Sequence, residues 1–159
     1  RLAPGATVVE YTGGTTGVSL AFVCAVKGYR MEIVFSDAFS EEKGLMMRAL
    51  GAHLTVIPSG GAGITEALIR RMIEAAREIA SRPGAFWTDQ LNNHDAVGGY
   101  HAMGEEIWEQ TGGEVDAFVH SVGSAHSIHG VAQALRQRRP SLHVTAVEPA
   151  APPPSQTCR

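Results

Sequence analysis

The residues best suited to binding an anion lie in one glycine-rich turn, Thr12-Gly13-Gly14-Thr15-Thr16-Gly17, hereafter the Thr12 turn. It follows a short apolar strand, residues 7–10, and precedes an apolar helix, residues 18–26. A glycine-rich turn between a strand and a helix leaves backbone N–H groups free and directed at one point, where they attract a carboxylate or a phosphate. Glycine allows close approach of the ligand and a positive φ, and threonine adds hydroxyl groups. The alternative is an ordinary β–α connection, because many such connections contain two glycines.

A second turn, residues 121–127 and hereafter the Gly123 turn, repeats this arrangement. It runs from a buried-type strand, residues 116–120, into a helix that ends near Arg138. Ser124 and Ser127 supply hydroxyl groups, and the start of the helix supplies free N–H donors. Because ligands collect at the carboxyl ends of strands in open α/β sheets, the two turns are predicted to bind two ends of one ligand.

Gln90 is a third candidate binding residue. It lies in a polar segment, residues 89–93, directly after a short strand candidate, residues 85–87. An amide side chain at this position donates to a carboxylate and accepts from an ammonium group. The segment is therefore predicted to contribute to the binding of an amino acid.

Two other groups of residues are interpreted as structural. His120, His126 and His129 cluster near the Gly123 turn but have no obvious carboxylate or thiolate partner, so no metal site is predicted. The chain contains only two lysines, Lys27 and Lys43, and both are interpreted as solvated surface residues on helices.

The composition excludes several classes of function. The chain has 159 residues, of which 44% are hydrophobic and 18% charged, and its net charge is -3 with histidine neutral. This balance predicts no binding to nucleic acid or to an anionic membrane surface, and no apolar run is long enough to span a membrane. Cys24 and Cys158 make a poor disulfide framework, so a reducing cytoplasm is expected.

Strands and helices alternate along the chain. Strands are predicted at residues 7–10, 31–35, 53–57, 85–87, 116–120 and 143–147, and helices at residues 18–26, 41–50, 64–81, 97–110 and over about a dozen residues ending near 138. Strands separated by helices of this length imply right-handed crossovers and a mainly parallel sheet covered on both faces. The predicted fold is therefore α/β with three αβα layers. Residues 150–159 lack a packing periodicity and are predicted to be an unstructured tail.

Six stretches, taken in order, resemble the pyridoxal-phosphate enzymes related to cysteine synthase, the fold type II group. They are residues 9–17, 27–29, 50–52, 90–93, 106–113 and 146–149. The resemblance implies a partial two-lobed fold, in which residues 1–90 form the small lobe that binds substrate. Residues 91–149 would then form part of the large lobe that binds the phosphate of the cofactor.

The resemblance also implies a role for each turn. The substrate carboxylate would be bound by Thr12, Gly13, Gly14, Thr16 and Gln90, and pyridoxal phosphate by Thr15, Gly123, Ser124, Ala125, His126 and Ser127. The family usually has serine at the position of Gly13 and asparagine at that of Thr15, and this asparagine contacts the ring hydroxyl of the cofactor. Ala125 and His126 replace two glycines of the family's phosphate loop. His126 would be strained by about 1–3 kcal/mol if its φ were positive; alternatively, the loop differs and His126 donates to the phosphate.

The family holds its cofactor as a Schiff base on a lysine that lies upstream of the first loop. Neither lysine of this sequence matches that position, so no catalytic residue is assigned and the chain alone is expected to be inactive. The resemblance implies a β-replacement or β-elimination on an O-activated serine, such as O-acetylserine with sulfide. The alternative is a non-catalytic remnant that binds an anion or amino acid, or serves as an interaction module. A partial sheet would expose edges and apolar faces, so either self-association, as a homo-oligomer, or poor solubility is expected of the isolated chain.

Overall fold

The computed structural model describes residues 2–148. These residues form two compact units, residues 2–89 and residues 90–148. Both units combine parallel strands with helices, which confirms the predicted α/β class. Pro149 and the predicted tail, residues 150–159, lie outside the described residues.

The first unit is a four-stranded parallel sheet with three helices. Its elements are β1 (Thr7–Tyr11), α1 (Thr15–Lys27), β2 (Arg30–Ser36), α2 (Glu41–Ala49), β3 (His53–Ile57), α3 (Glu66–Ala80) and β4 (Ala85–Trp87). The strand order is β3-β2-β1-β4, and every neighbouring pair is parallel. The carboxyl ends of all four strands therefore lie at the same edge, where the Thr12 turn begins.

Helices cover both faces of this sheet, which gives the three predicted layers. Because side chains alternate along a strand, neighbouring valines and isoleucines enter different cores. Val8 and Ile33 pack with α1 and α2 on one face. Val9 and Val34 pack with the apolar stripe of α3 on the other, which consists of Leu68, Met72, Ala76 and Ile79. The central strands β1 and β2 are thus buried on both sides.

The second unit is a two-stranded parallel sheet with three helices. Its elements are α4 (Asp95–Gly98), α5 (His101–Gln110), β5 (Ala117–Ser121), α6 (His126–Arg138) and β6 (His143–Val147). One face of the sheet packs against a core that contains Val131 and Leu135 of α6. On the opposite face Val119 is 60% exposed and Val147 is 48% exposed.

The predicted single helix over residues 97–110 is wrong. The structure divides it at Gly99 and Tyr100 into α4 and α5. Glycine favours the division because its helix propensity is about 1 kcal/mol below that of alanine. Gly130 of α6 then allows α4 to approach closely, since a Cβ atom added to Gly130 would lie 2.2 Å from the carbonyl oxygen of Val97.

Candidate functional site

The Thr12 turn lies at the carboxyl end of β1 and leads into the start of α1. The hydroxyl oxygen of buried Thr12 accepts from the backbone N–H of Gly14 at 3.1 Å, which closes the turn. Helix α1 begins at Thr15, earlier than predicted, so the second half of the turn is helical. Within residues 2–148, the backbone N–H groups of Gly13, Thr15 and Thr16 have no protein acceptor. These groups form the anion-attracting start of α1.

Close packing, rather than a positive φ, is the reason for glycine in this turn. None of its glycines has a positive φ, in contrast to the sequence-based expectation. A Cβ atom at Gly13 would lie 2.3 Å from the ring of Phe39, and one at Gly14 would lie 2.8 Å from Nζ of Lys43. A Cβ atom at Gly17 would lie 2.5 Å from Thr12. The ring of Phe39 thus occupies the space that the side chain of the family's usual serine would need.

The segment that carries Phe39 is fixed by its own hydrogen bonds. The backbone N–H of Phe39 donates to the carbonyl of Ser36 at 3.1 Å. The Asp37 carboxylate accepts from the backbone N–H of Ser59 at 2.7 Å, and this hydrogen bond lowers the pKa of Asp37. Phe39 is therefore positioned by contacts to both β2 and the segment after β3.

Glu10 is a fully buried carboxyl group directly before the Thr12 turn. One of its oxygens accepts from the backbone N–H of Tyr11 at 2.9 Å and from the indole of Trp87 at 3.4 Å. The other accepts from the hydroxyl of Thr88 at 2.6 Å. Buried carboxyl groups are tolerated only when their oxygens are hydrogen-bonded. Glu10 therefore joins the end of β1 to the end of β4, and so supports the turn.

The Gly123 turn lies at the carboxyl end of β5 and leads into α6. Ala125 is the N-cap residue of α6 and has a left-handed conformation, with φ 65° and ψ −6°. His126 is the first residue of α6 and is buried. The strain that the sequence suggested for His126 therefore falls on Ala125, where a left-handed conformation costs about 1–2 kcal/mol.

The donors of the Gly123 turn suit a phosphate group. Within the described residues, the backbone N–H groups of His126, Ser127 and Ile128 donate to no protein acceptor. Nε2 of His120 lies 2.9 Å from the hydroxyl oxygen of Ser127. When His120 donates to this oxygen, the Ser127 hydroxyl hydrogen is free to donate to an anion. A Cβ atom added to Gly123 would meet no atom within 4 Å, so the turn is open beside these donors. The residues present therefore fit the phosphate of pyridoxal phosphate.

Helix α3 differs from α1 and α6 because a side chain caps its N-terminus. The hydroxyl of its N-cap residue, Thr65, accepts from the backbone N–H of Leu68 at 3.1 Å. The N-cap residues of α1 and α6 are Gly14 and Ala125, which have no side chain able to do this. Helix α2 also lacks a side-chain cap, so the missing cap alone is not a ligand signal. The combination with glycine, threonine and serine at strand ends distinguishes α1 and α6.

The remaining candidates have other surroundings. Gln90 is the first residue of the second unit, and its polar groups or side chain already interact with the rest of the protein. The residue before it, Asp89, has a left-handed backbone conformation with φ 44°. Nε2 of His129 lies 3.1 Å from the side-chain nitrogen of Gln133. The described residues contain no group of three or more His, Cys, Asp or Glu side chains that could hold a metal ion.

The two lysines differ in their surroundings. Lys27 is exposed in the last turn of α1, whereas Lys43 is half-buried and lies beside Gly14. Sequence reasoning missed the proximity of Phe39 and Lys43 to the Thr12 turn, because both residues come later in the chain, Phe39 from the loop before α2 and Lys43 from α2 itself. By contrast, the position of Glu10 within an apolar strand could have indicated from the sequence that its carboxyl group is buried and hydrogen-bonded.

Two further properties of the structure concern the environment of the chain. Burial raises the pKa of the free Cys24 thiol. Within residues 2–148, none of the helices combines the length and the apolar character that crossing a membrane requires.

Parallel strands that lead into uncapped helix starts define an α/β protein with two anion-attracting turns. Comparison with known proteins places it more narrowly. The whole chain, residues 1–159, matches the family described as pyridoxal-phosphate-dependent enzymes. The chain belongs to this family, whose cofactor is pyridoxal phosphate.

Individual relatives agree with this assignment. Cysteine synthase B of Escherichia coli is 35% identical over 150 residues, which cover 94% of this chain and 48% of the relative. A cysteine synthase of Staphylococcus aureus is 34% identical over 156 residues, which cover 96% of this chain and 48% of the relative. The chain thus spans about half the length of the relatives that it matches.

Solved structures show the same fold. The structure of O-ureido-L-serine synthase has a TM-score of 0.82 and 34% identity, over 94% of this chain and 46% of that protein. The structure of O-acetyl serine sulfhydrylase isoform 3 from Entamoeba histolytica has a TM-score of 0.82 and 35% identity, over 94% of this chain and 44% of that protein. These neighbours confirm the fold type II assignment, and the chain corresponds to about half of each.

Proposed function

We propose that this chain is a segment of a cysteine synthase-like enzyme that acts by β-replacement or β-elimination on an O-activated serine. The observation that carries the proposal is the pair of open helix starts, at α1 and α6, in a chain of this family. The relatives named for cysteine synthesis and for O-acetylserine support the substrate class. The sulfur or nitrogen nucleophile is not part of the proposal.

In this proposal the Thr12 turn binds the carboxylate of the substrate. The backbone N–H groups of Gly13, Thr15 and Thr16 supply donors, as do the hydroxyls of Thr12 and Thr16, and buried Glu10 keeps the turn in place. Gly14 lets the ligand approach the backbone closely, and Gln90 contributes an amide. Thr15 stands where the family's asparagine contacts the cofactor ring and offers a shorter hydroxyl in its place.

The Gly123 turn binds the phosphate of pyridoxal phosphate in this proposal. The N–H groups at the start of α6 and the hydroxyls of Ser124 and Ser127 donate to phosphate oxygens, and the dipole of a 13-residue helix favours the negative charge. Ala125 provides the left-handed turn, and His126 continues it into the helix. When bound, the cofactor supplies an electron sink for negative charge at the substrate α-carbon.

We also propose that the chain by itself does not catalyse. Lys27 lies at the exposed end of α1 and Lys43 beside the substrate turn, and neither matches the position of the family's Schiff-base lysine. The competing function is a non-catalytic module that binds an anion or an amino acid, which the same two turns would serve. A cytoplasmic location and self-association complete the proposal; exposed Val119 and Val147 on an open sheet face support the latter.

Titration with pyridoxal phosphate, followed by borohydride reduction and peptide mapping, tests the proposal. Noncovalent binding should move the amide resonances of the Gly123 turn, and pyridoxal without phosphate should not move them. Reduction should leave no stoichiometric adduct on Lys27 or Lys43. A stoichiometric adduct on either lysine would contradict the claim of inactivity. Unchanged amide resonances would overturn the phosphate site.

A sedimentation experiment tests self-association. The open face of the second unit predicts dimers or larger species whose dissociation is promoted by Val119→Lys. A monodisperse wild-type monomer that melts cooperatively would contradict the proposed self-association.

A further inference from the structure

The side chain of Lys43 lies beside Gly14 of the Thr12 turn, although Lys43 belongs to the following helix, α2. A Cβ atom added to Gly14 would lie 2.8 Å from Nζ of Lys43 and 3.1 Å from its Cδ. The ammonium group and the aliphatic stem of Lys43 therefore fill the space that a side chain at residue 14 would occupy, beside the backbone of the turn. Lys43 itself is half-buried, so the contact removes part of the side chain from water.

Nothing in helix α2 stabilises the positive charge of Lys43. Among the ion pairs formed by the described residues, none includes Lys43. The residue lies in the first turn of α2, where the helix dipole disfavours a cation. Glu41 and Glu42 of the same turn are exposed and satisfy the preference for acidic residues there. A half-buried cation without an acidic partner is suited to an anionic ligand.

We propose that Lys43 is a substrate-binding residue whose ammonium group pairs with the carboxylate held by the Thr12 turn. The inference rests on the proposed function of that turn and adds a residue to it. The backbone N–H groups of Gly13, Thr15 and Thr16 fix the orientation of a carboxylate but carry no net charge. Lys43 supplies the positive charge, and so selects a carboxylate over a neutral amide or ester.

Binding of a matched pair of probes tests this inference. The first probe is phosphopyridoxyl-L-serine, a stable reduced conjugate that carries both a carboxylate and a phosphate. The second is the corresponding serinamide, which lacks only the carboxylate charge. Calorimetry gives the two dissociation constants, and amide resonances of Gly13, Thr15 and Thr16 report whether the probe reaches the turn. The variants are Lys43→Gln and Lys43→Arg, with Lys27→Gln as the matched control on the other lysine.

For Lys43→Gln we expect about tenfold weaker binding of the carboxylate probe, the size of one charge-assisted hydrogen bond. Binding of the serinamide probe should not change, because it lacks the group that Lys43 contacts. Lys43→Arg should restore most of the loss, and Lys27→Gln should have no effect. Equal weakening for both probes would show a merely structural role and overturn the inference.

The design separates this inference from the proposed function. If the wild-type chain binds the carboxylate probe at the turn and Lys43→Gln binds it equally well, only the role of Lys43 is wrong. If neither probe moves the amide resonances of Gly13, Thr15 and Thr16 in the wild-type chain, the substrate turn itself is wrong.

A labelling experiment on the wild-type chain does not depend on the folding of a variant. A brief pulse of acetic anhydride modifies the two lysines, and mass spectrometry gives the ratio of acetylation at Lys43 to that at Lys27. The carboxylate probe should lower this ratio several-fold, whereas the serinamide probe should leave it nearly unchanged. Equal protection of Lys43 by both probes would contradict a contact between its ammonium group and the carboxylate.

Discussion

The two units use the same strand–turn–helix arrangement but differ in how the sheet is covered. In the first unit, β1 and β2 are buried by helices on both faces, and Ile33 and Val34 are fully buried. In the second unit, the sheet has two strands and one covered face, and Val119 is 60% exposed. The Thr12 turn thus follows a strand whose sheet is covered by helices on both faces, whereas the Gly123 turn follows a strand whose sheet exposes apolar side chains on one face.

This difference shows that a turn can present its donors without a fully covered sheet. Each turn needs only the end of one strand and the start of one helix to present its donors. The covered sheet additionally fixes the surroundings of the Thr12 turn, because Phe39 and Lys43 reach it from the segment after β2. We therefore expect packing changes in the first unit to alter its turn more strongly than equivalent changes in the second.

The largest expected change in stability follows from shortening a side chain in the covered sheet of the first unit. Ile33→Ala should lower the free energy of unfolding of the first unit by about 2–5 kcal/mol, because it leaves a cavity between two filled layers. Val119→Ala, the counterpart on the open face, should change stability by less than about 0.5 kcal/mol. Trp87 and Trp108 lie in different units, so fluorescence of Trp87→Phe and Trp108→Phe backgrounds assigns each urea transition. Similar losses for both truncations would contradict the comparison.

Removal of the buried carboxyl group should have the next largest effect. Glu10→Ala deprives the backbone N–H of Tyr11, the indole of Trp87 and the hydroxyl of Thr88 of an acceptor. Unsatisfied buried groups cost about 1–3 kcal/mol each, so we expect a loss of about 3 kcal/mol after relaxation. Glu10→Gln keeps one acceptor oxygen and should lose less than half as much. Urea unfolding monitored by Trp87 provides the measurement, and equal losses for both variants would refute this role.

The packing of Gly13 against Phe39 predicts a rescued substitution. Gly13→Ser restores the family's usual residue but places its Cβ atom 2.3 Å from the Phe39 ring. Overpacking of this kind costs about 1–3 kcal/mol, and Phe39→Ala should recover most of the cost in the double variant. Gly123→Ser is the matched control in the other unit, where a Cβ atom would meet no neighbour within 4 Å. An additive double variant would show that the ring does not exclude the serine.

The smallest expected effect concerns the left-handed residue before α6. Ala125→Gly should stabilise the second unit by about 0.5–1 kcal/mol, because glycine adopts φ 65° without a steric penalty. Ala102→Gly, at an exposed position within α5, should instead destabilise it by a similar amount. Thermal unfolding followed by Trp108 fluorescence distinguishes the two signs. Destabilisation by both substitutions would indicate a different backbone conformation at Ala125.

The sequence was sufficient for the local features of this chain and insufficient for the contacts between elements. Apolar strands followed by glycine, threonine or serine identified both turns, because the signal lies within a few neighbouring residues. The contacts of Phe39 and Lys43 depend on how α2 packs, which spacing alone does not encode. The break between α4 and α5 at Gly99 is accompanied by a close approach of α4 to Gly130, a contact between elements that spacing also does not encode.

The most direct test of the central claim is a titration with phosphopyridoxyl-L-serine followed by amide resonances of both turns. The account predicts shifts at Gly13, Thr15 and Thr16 in the first unit, and at His126, Ser127 and Ile128 in the second. The serinamide probe should lose the shifts at the Thr12 turn, and the conjugate without phosphate should lose those at the Gly123 turn. Shifts confined to other parts of the chain, or unaffected by removal of either charged group, would contradict the claim that these two helix starts bind the two anions.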